Sequence, residues 1–95
     1  MKITVSPKAE KSLKAIGEHI REKGYPETSD KYLNRLKEFA YSLSAFPAKY
    51  PICRFQRFAK HNFHCATFER NYVFVYKVVK TKLVIYNIIH GKRLK

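Results

Sequence analysis

The sequence predicts an α+β fold: an N-terminal strand, an antiparallel helical hairpin, then a consecutive antiparallel sheet of about four strands with the helices packed on one face. Three observations predict it. Apolar residues recur at steps of three and four through the first half of the chain. From residue 52 the pattern changes to runs dense in β-branched and aromatic residues. The 95 residues, 45% hydrophobic and 15% aromatic, suffice for one core and not two, so residues 1–95 form a single domain.

Each element follows in order. Lys2-Ile3-Thr4-Val5 has strand character and stops at Ser6-Pro7. Ser6 suits an N-cap, Pro7 the first helical position, and Glu10 the first turn. Ala9, Leu13, Ile16 and Ile20 then line one face of a helix that runs to about Lys23 and ends at Gly24. Gly17 within it costs about 1 kcal/mol against Ala, and close packing of a neighbouring helix accounts for it. Pro26 opens a second helix, whose Leu33, Leu36, Phe39, Ala40 and Leu43 keep the 3.6 period to about Ala45, before Phe46-Pro47. The short Gly-Tyr-Pro connection makes the two helices a hairpin.

Strands are expected at Ile52–Phe58, Asn62–Phe68, Tyr72–Val79 and Leu83–Ile89. The last two are apolar on both faces, as central strands covered twice are. The hairpin covers one face; the other requires loops, a second subunit or a partner segment.

Charge narrows the function. Twenty Lys/Arg against seven Asp/Glu give +13, a balance that selects polyanionic partners. Residues 1–48 hold nine basic and six acidic side chains; residues 49–95 hold eleven and one, Glu69. The second half therefore looks like a binding surface. The opening Met1–Pro7 has no apolar stretch of signal-peptide length, and no run of about 18 apolar residues exists to span a membrane. Cys53 and Cys65 are too few for a disulfide framework, so two free thiols and a cytoplasmic location are expected.

The order of elements resembles the RelE/ParE superfamily, the toxic halves of bacterial type II toxin–antitoxin modules. The resemblance spans nearly the whole chain. It rests on Ser6-Pro7-Lys8-Ala9 with its helix, on Leu43–Pro47, on Asn71-Tyr72-Val73-Phe74-Val75-Tyr76, and most specifically on Ile88-Ile89-His90-Gly91-Lys92-Arg93. It implies a toxin that inhibits growth unless bound by a cognate acidic antitoxin, as a homodimer or a toxin–antitoxin hetero-oligomer, with no membrane and no cofactor. RelE-like members cleave mRNA on the ribosome; ParE-like members, including plasmid stabilisation proteins, inhibit DNA gyrase.

Arg93 matches the arginine that family RNases carry near the end of the last strand. Elsewhere the RNase pattern is missing. Asn71-Tyr72-Val73 stands where those enzymes show Gly-Tyr-Arg, and His64 and Ala66 lie near their paired lysines. With a long helical hairpin and an end soon after the last strand, the chain looks more like the ParE side.

The residues offer their own candidates. RNA cleavage by 2′-OH attack needs a base, an acid and cations beside the phosphorane. Arg93, His90, Tyr86 and His64 are the catalytic candidates of that reading, an endoribonuclease. Alternation places residues 84, 86, 88 and 90 on one face, bringing Tyr86 and His90 to the same side. A strand-end histidine is otherwise a capping or surface residue.

Arg54, Arg57, Lys60 and His61, interleaved with Phe55, Phe58 and Phe63, suit a phosphate-and-stacking surface for nucleic acid. Alternatively they are an edge whose phenylalanines enter the core, or a basic edge for an acidic antitoxin. Arg70 and Lys92 join this binding set. Cys53, His61, His64 and Cys65 fit no zinc spacing, and the consecutive His64 and Cys65 point to opposite faces of a strand, so no metal is expected.

Overall fold

A computed structural model describes residues 1–24 and 26–91. The chain runs β1 (Lys2–Val5), α1 (Pro7–Glu22), α2 (Pro26–Ala45), α3 (Gln56–Ala59), β2 (His64–Phe68), β3 (Tyr72–Val79) and β4 (Lys82–His90). The sheet order is β1-β4-β3-β2. β2, β3 and β4 form an antiparallel meander, as expected. The fourth strand is β1, which lies parallel to β4 with Lys2 opposite Lys82 and Val5 opposite Ile85.

The first turn of α1 is built as its sequence dictates. Ser6 accepts from the Ala9 N–H through its hydroxyl oxygen, and Pro7 begins the helix. The Ser6 hydroxyl donates to the Tyr86 carbonyl and its N–H to the Ile85 carbonyl, so the cap also fastens the helix to β4. α1 and α2 cross closely at Gly17. A Cβ there would stand 2.9 Å from Leu33 Cδ1, and the buried Ser29 hydroxyl donates to the Gly17 carbonyl at 2.9 Å. The glycine is thus the price of the helix–helix contact, as its position in an otherwise periodic helix suggests.

The main core lies between this hairpin and one face of the sheet. Ala9, Ile16, Leu36 and Leu43 meet Phe74, Tyr76, Leu83, Ile85 and Ile88, all buried. Phe39 is its aromatic hinge, with ring centroids 5.1 Å from those of both Phe68 and Phe74. Tyr76 is fully buried, yet its hydroxyl donates to the Pro47 carbonyl at 2.7 Å, satisfying a backbone group where α2 exits. Burial pushes its phenol up to about 12, with neighbouring Tyr50 adding to the shift.

The opposite face is covered by the chain itself. The strand expected at Ile52–Phe58 is absent: Ile52 makes one isolated bridge to His64, and Gln56–Ala59 is a helical turn. Phe55 and Phe58, three residues apart, have helical rather than alternating spacing. Phe58 is buried with Phe63, Cys53, Val73 and Val75 in a second, smaller core.

That bridge also corrects the expectation of free thiols. With Ile52 opposite His64 and the Cys53 N–H donating to the Phe63 carbonyl, Cys53 comes to 4.8 Å of Cys65, Cα to Cα, and the two form a disulfide. Their separation of 12 residues is spanned by the α3 turn. No helix among the described residues is long and apolar enough to cross a membrane.

Candidate functional site

A β-bulge decides which side chains converge. Between Val75 and Tyr76 the register of β3 against β4 shifts: Val75 is opposite Asn87 but Tyr76 is opposite Ile85, leaving Tyr86 as the extra residue. Ile85 and Ile88 therefore both face the helices, and Tyr86 is turned to the outer core. His90, opposite Tyr72, stays on the helix side, its ring 5.3 Å from that of Tyr72. Tyr86 and His90 are on opposite faces, against the expectation from simple alternation.

His64 is apart from both. It is opposite Tyr76, four residues along β3 from the partner of His90, a separation of about 13 Å at strand rise. Its Nδ1 is 2.7 Å from the Tyr50 carbonyl oxygen and its ring is stacked on Tyr76 at 5.3 Å, a packing role. Its neighbour Cys65 faces the outer core, as consecutive strand residues must. Arg93 and Lys92 lie outside the described residues. Of the three described members of the RNase set, Tyr86 and His90 line one cleft from opposite faces of β4, and His64 is not part of it.

The binding set is partly gathered. Arg57, Lys60 and His61, all exposed, form one wall of a cleft of about 1110 Å³. The opposite wall is the α1 stripe Lys8, Ser12, Ala15 and His19. Its floor is the β4 segment from Tyr86 to His90, beyond the reach of β1, whose pairing stops at Ile85. None of the seven carboxylates lines this cleft. Among the described residues, ion pairs form elsewhere: Arg21 with Asp30, and Arg35 with Glu69.

Arg54 is exposed but does not line the cleft, and Arg70 belongs to the β2–β3 turn. That turn is strained. Glu69 and Arg70 both take positive φ, 50° and 64°, closed by the Asn71 N–H donating to the Phe68 carbonyl at 3.0 Å.

The aromatics interleaved with these cations do not offer open stacking faces. Phe58 and Phe63 are buried, and Arg57 lies over the Phe58 ring at 4.8 Å. Tyr86 is flanked by Phe63, 4.9 Å away between centroids, and by the Lys8 ammonium, 5.3 Å from its ring. Phe58 and Phe63 enter the outer core and Phe55 packs against it, from a helical turn rather than an edge strand. The α1 wall was missed in the sequence, because Lys8, Ser12 and His19 look like an ordinary solvated helix face. Their i, i+4, i+11 spacing was the available signal.

Residues 3–95 match the family described as ParE toxin of type II toxin-antitoxin system, parDE. The chain belongs to the ParE toxin family. Among solved structures it is similar to a chain of the chromosomal ParDE TA system from P. aeruginosa, with 19% identity, 95% of each chain covered and a TM-score of 0.80. No curated protein matches it significantly in sequence. As a ParE-family chain, it is the toxin component of a type II toxin–antitoxin system, and an antitoxin is its partner. The ParE side of the resemblance is the one favoured.

Proposed function

We propose that this ParE-family toxin arrests growth by binding DNA gyrase in the cytoplasm, and that an acidic antitoxin silences it. The observation that carries the reading is the family match over residues 3–95. The separation of His64 from the cleft that Tyr86 and His90 line supports action by binding over hydrolysis of mRNA. The excess of eleven basic over one acidic side chain in residues 49–95 supports an acidic partner.

Inducing the full chain in cells without its antitoxin tests this. Growth arrest with a DNA-damage response and intact transcripts is expected; arrest with cleaved mRNA and normal DNA topology would overturn the gyrase target. Arg93, the match to the family's terminal arginine, is proposed as a functional residue. Arg93→Ala is expected to abolish arrest while leaving the thermal midpoint unchanged; full toxicity in a folded variant would show that Arg93 has no part in it.

A further inference from the structure

The loop between the two cysteines is tied to the rest of the molecule by few groups. Its base is a short antiparallel pairing: Ile52 bridges His64, the Cys53 N–H donates to the Phe63 carbonyl at 2.9 Å, and the Cys65 N–H donates to the Pro51 carbonyl at 3.3 Å. Above that base its apolar anchors are Phe58 and Phe63, with Phe55 beside them. One further tie, from the Lys77 ammonium to the His61 carbonyl, is long at 3.4 Å and exposed. Among the described residues, none from 53 to 63 belongs to the main core.

Charge works against closure of this loop. Residues 53–65 carry Arg54, Arg57 and Lys60 and no carboxylate. Arg57, Lys60 and His61 stand across the cleft from Lys8 and His19, all exposed. Like charges on facing walls repel, so the α3 segment is pushed outward, most strongly at low salt. The Cys53–Cys65 bond, joining residues 12 apart at the foot of the segment, opposes that push. Cys53 is buried but Cys65 is half-buried, which brings the bond within reach of a small thiol when the segment opens locally.

We propose that the Cys53–Cys65 bond is a thiol–disulfide switch of the outer face. Oxidised, it fixes the α3 wall of the cleft; reduced, it releases Arg57, Lys60 and His61 while the helix side of the fold stands. The reductant is a pair of cellular thiols, R–SH. One thiolate attacks the sulfur of Cys65, the more exposed partner, forming a mixed disulfide and expelling the Cys53 thiolate, which takes up a proton. A second attacks the R sulfur and expels the Cys65 thiolate, leaving two protein thiols and R–S–S–R. Two electrons pass to the protein, and oxidised R–S–S–R reverses both steps. A bond within the main core would tie reduction to global unfolding. This one closes a loop whose anchors lie outside that core, so both redox states are folded, and the switch is independent of the toxin's target.

The test uses the full chain with oxidised or reduced glutathione. Alkylation and intact-mass measurement count the thiols: none is expected in the oxidised chain, and both cysteines after millimolar reduced glutathione without denaturant. The amides of Phe58, Ala59 and Lys60, bonded within the α3 turn, are expected to exchange at least tenfold faster on reduction. Amides of α2 and β4 are expected to change less than twofold, and reoxidation to restore the first rates. The acceleration is expected to be greater at about 0.02 M salt than at about 0.5 M.

Cys53→Ser/Cys65→Ser is expected to match the reduced chain and to ignore glutathione. If that variant fails to fold, the reduced natural chain, which keeps both side chains, carries the same comparison. Resistance to reduced glutathione until denaturant is added, loss of protection in α2 and β4 together with α3, or unchanged exchange in α3 would each overturn the switch. In cells quenched with acid after brief induction, the chain is expected to pass from thiol to disulfide form on treatment with diamide and to return after its removal. A chain fixed in one form throughout would overturn it as well.

Discussion

The two faces of the sheet are built by different means. Toward the helices, Leu36, Leu43, Phe74, Tyr76, Leu83 and Ile85 form a continuous apolar core supplied by four strands and two long helices. On the outer side, Phe58, Phe63, Cys53, Val73 and Val75 make a small cluster under a short segment, fastened by one disulfide and ringed with cations. The helix face is held by apolar burial spread over many residues. The outer face is held by a few groups and leaves room beside them for a ligand. A small basic domain can thus keep its charge away from the core that must resist its self-repulsion.

The contrast breaks most visibly by truncation. Phe74→Ala removes a fully buried ring contacted by Phe39, and is expected to cost about 3–5 kcal/mol, lowering the denaturant midpoint towards global unfolding. The equivalent change on the outer face, Phe58→Ala, removes a ring from the smaller cluster beside the cleft and is expected to cost less in the same titration, about 2–3 kcal/mol. A smaller loss on the helix face than on the outer one would invert the comparison.

Opening the disulfide is the next largest effect. For a loop of this length, chain-entropy arguments give about 3 kcal/mol. Cys53→Ala/Cys65→Ala, or reduction of the natural chain, is expected to lower stability by about that amount. Hydrogen exchange should rise first at Arg57–Phe63 and leave α2 and β4 protected. Uniform loss of protection would show that the α3 segment is no separate unit.

Tyr76 tests the helix face by pH. Its phenol is raised from 10.0 to about 12 in the folded chain, chiefly by burial. The unfolded chain releases this proton first, so stability is unaffected below pH 10 and falls as pH rises from 10 to 12. Tyr32, also raised by burial, acts in the same direction. Tyr76→Phe is expected to cost about 1 kcal/mol at neutral pH, through the unpaired Pro47 carbonyl, and to flatten the alkaline decline. An unchanged alkaline profile would show that Tyr76 does not carry it.

The smallest effect concerns the strained turn. Arg70→Gly relieves a left-handed conformation worth about 1–2 kcal/mol, offset by the greater freedom of glycine in the unfolded chain, about 0.4–1 kcal/mol. A net gain of about 0.5 kcal/mol in urea denaturation is expected. A loss would mean that the Arg70 side chain makes contacts that outweigh its strain.

Much of the helix face was legible because its signals are periodic and local. Ser6-Pro7 places the start of α1, the Leu33 to Leu43 period gives α2, and β3 has the predicted bounds Tyr72–Val79. The outer face was less legible because its determinants are non-local. The disulfide depends on Ile52 meeting His64, and the opposed faces of Tyr86 and His90 depend on a bulge that alternation within β4 does not reveal. Phe55 and Phe58 carried a helical spacing, but in so short a run it is overshadowed by β-rich composition. Half of the cleft was visible as Arg57, Lys60 and His61. The other half required knowing that α1 runs alongside the open part of β4.

A supercoiling assay with purified gyrase tests most directly whether the chain acts as a gyrase-directed binding toxin. The folded full chain, free of antitoxin, is expected to inhibit supercoiling in proportion to its concentration and to leave added mRNA uncut in the presence of ribosomes. Undiminished supercoiling together with cleaved mRNA would contradict it.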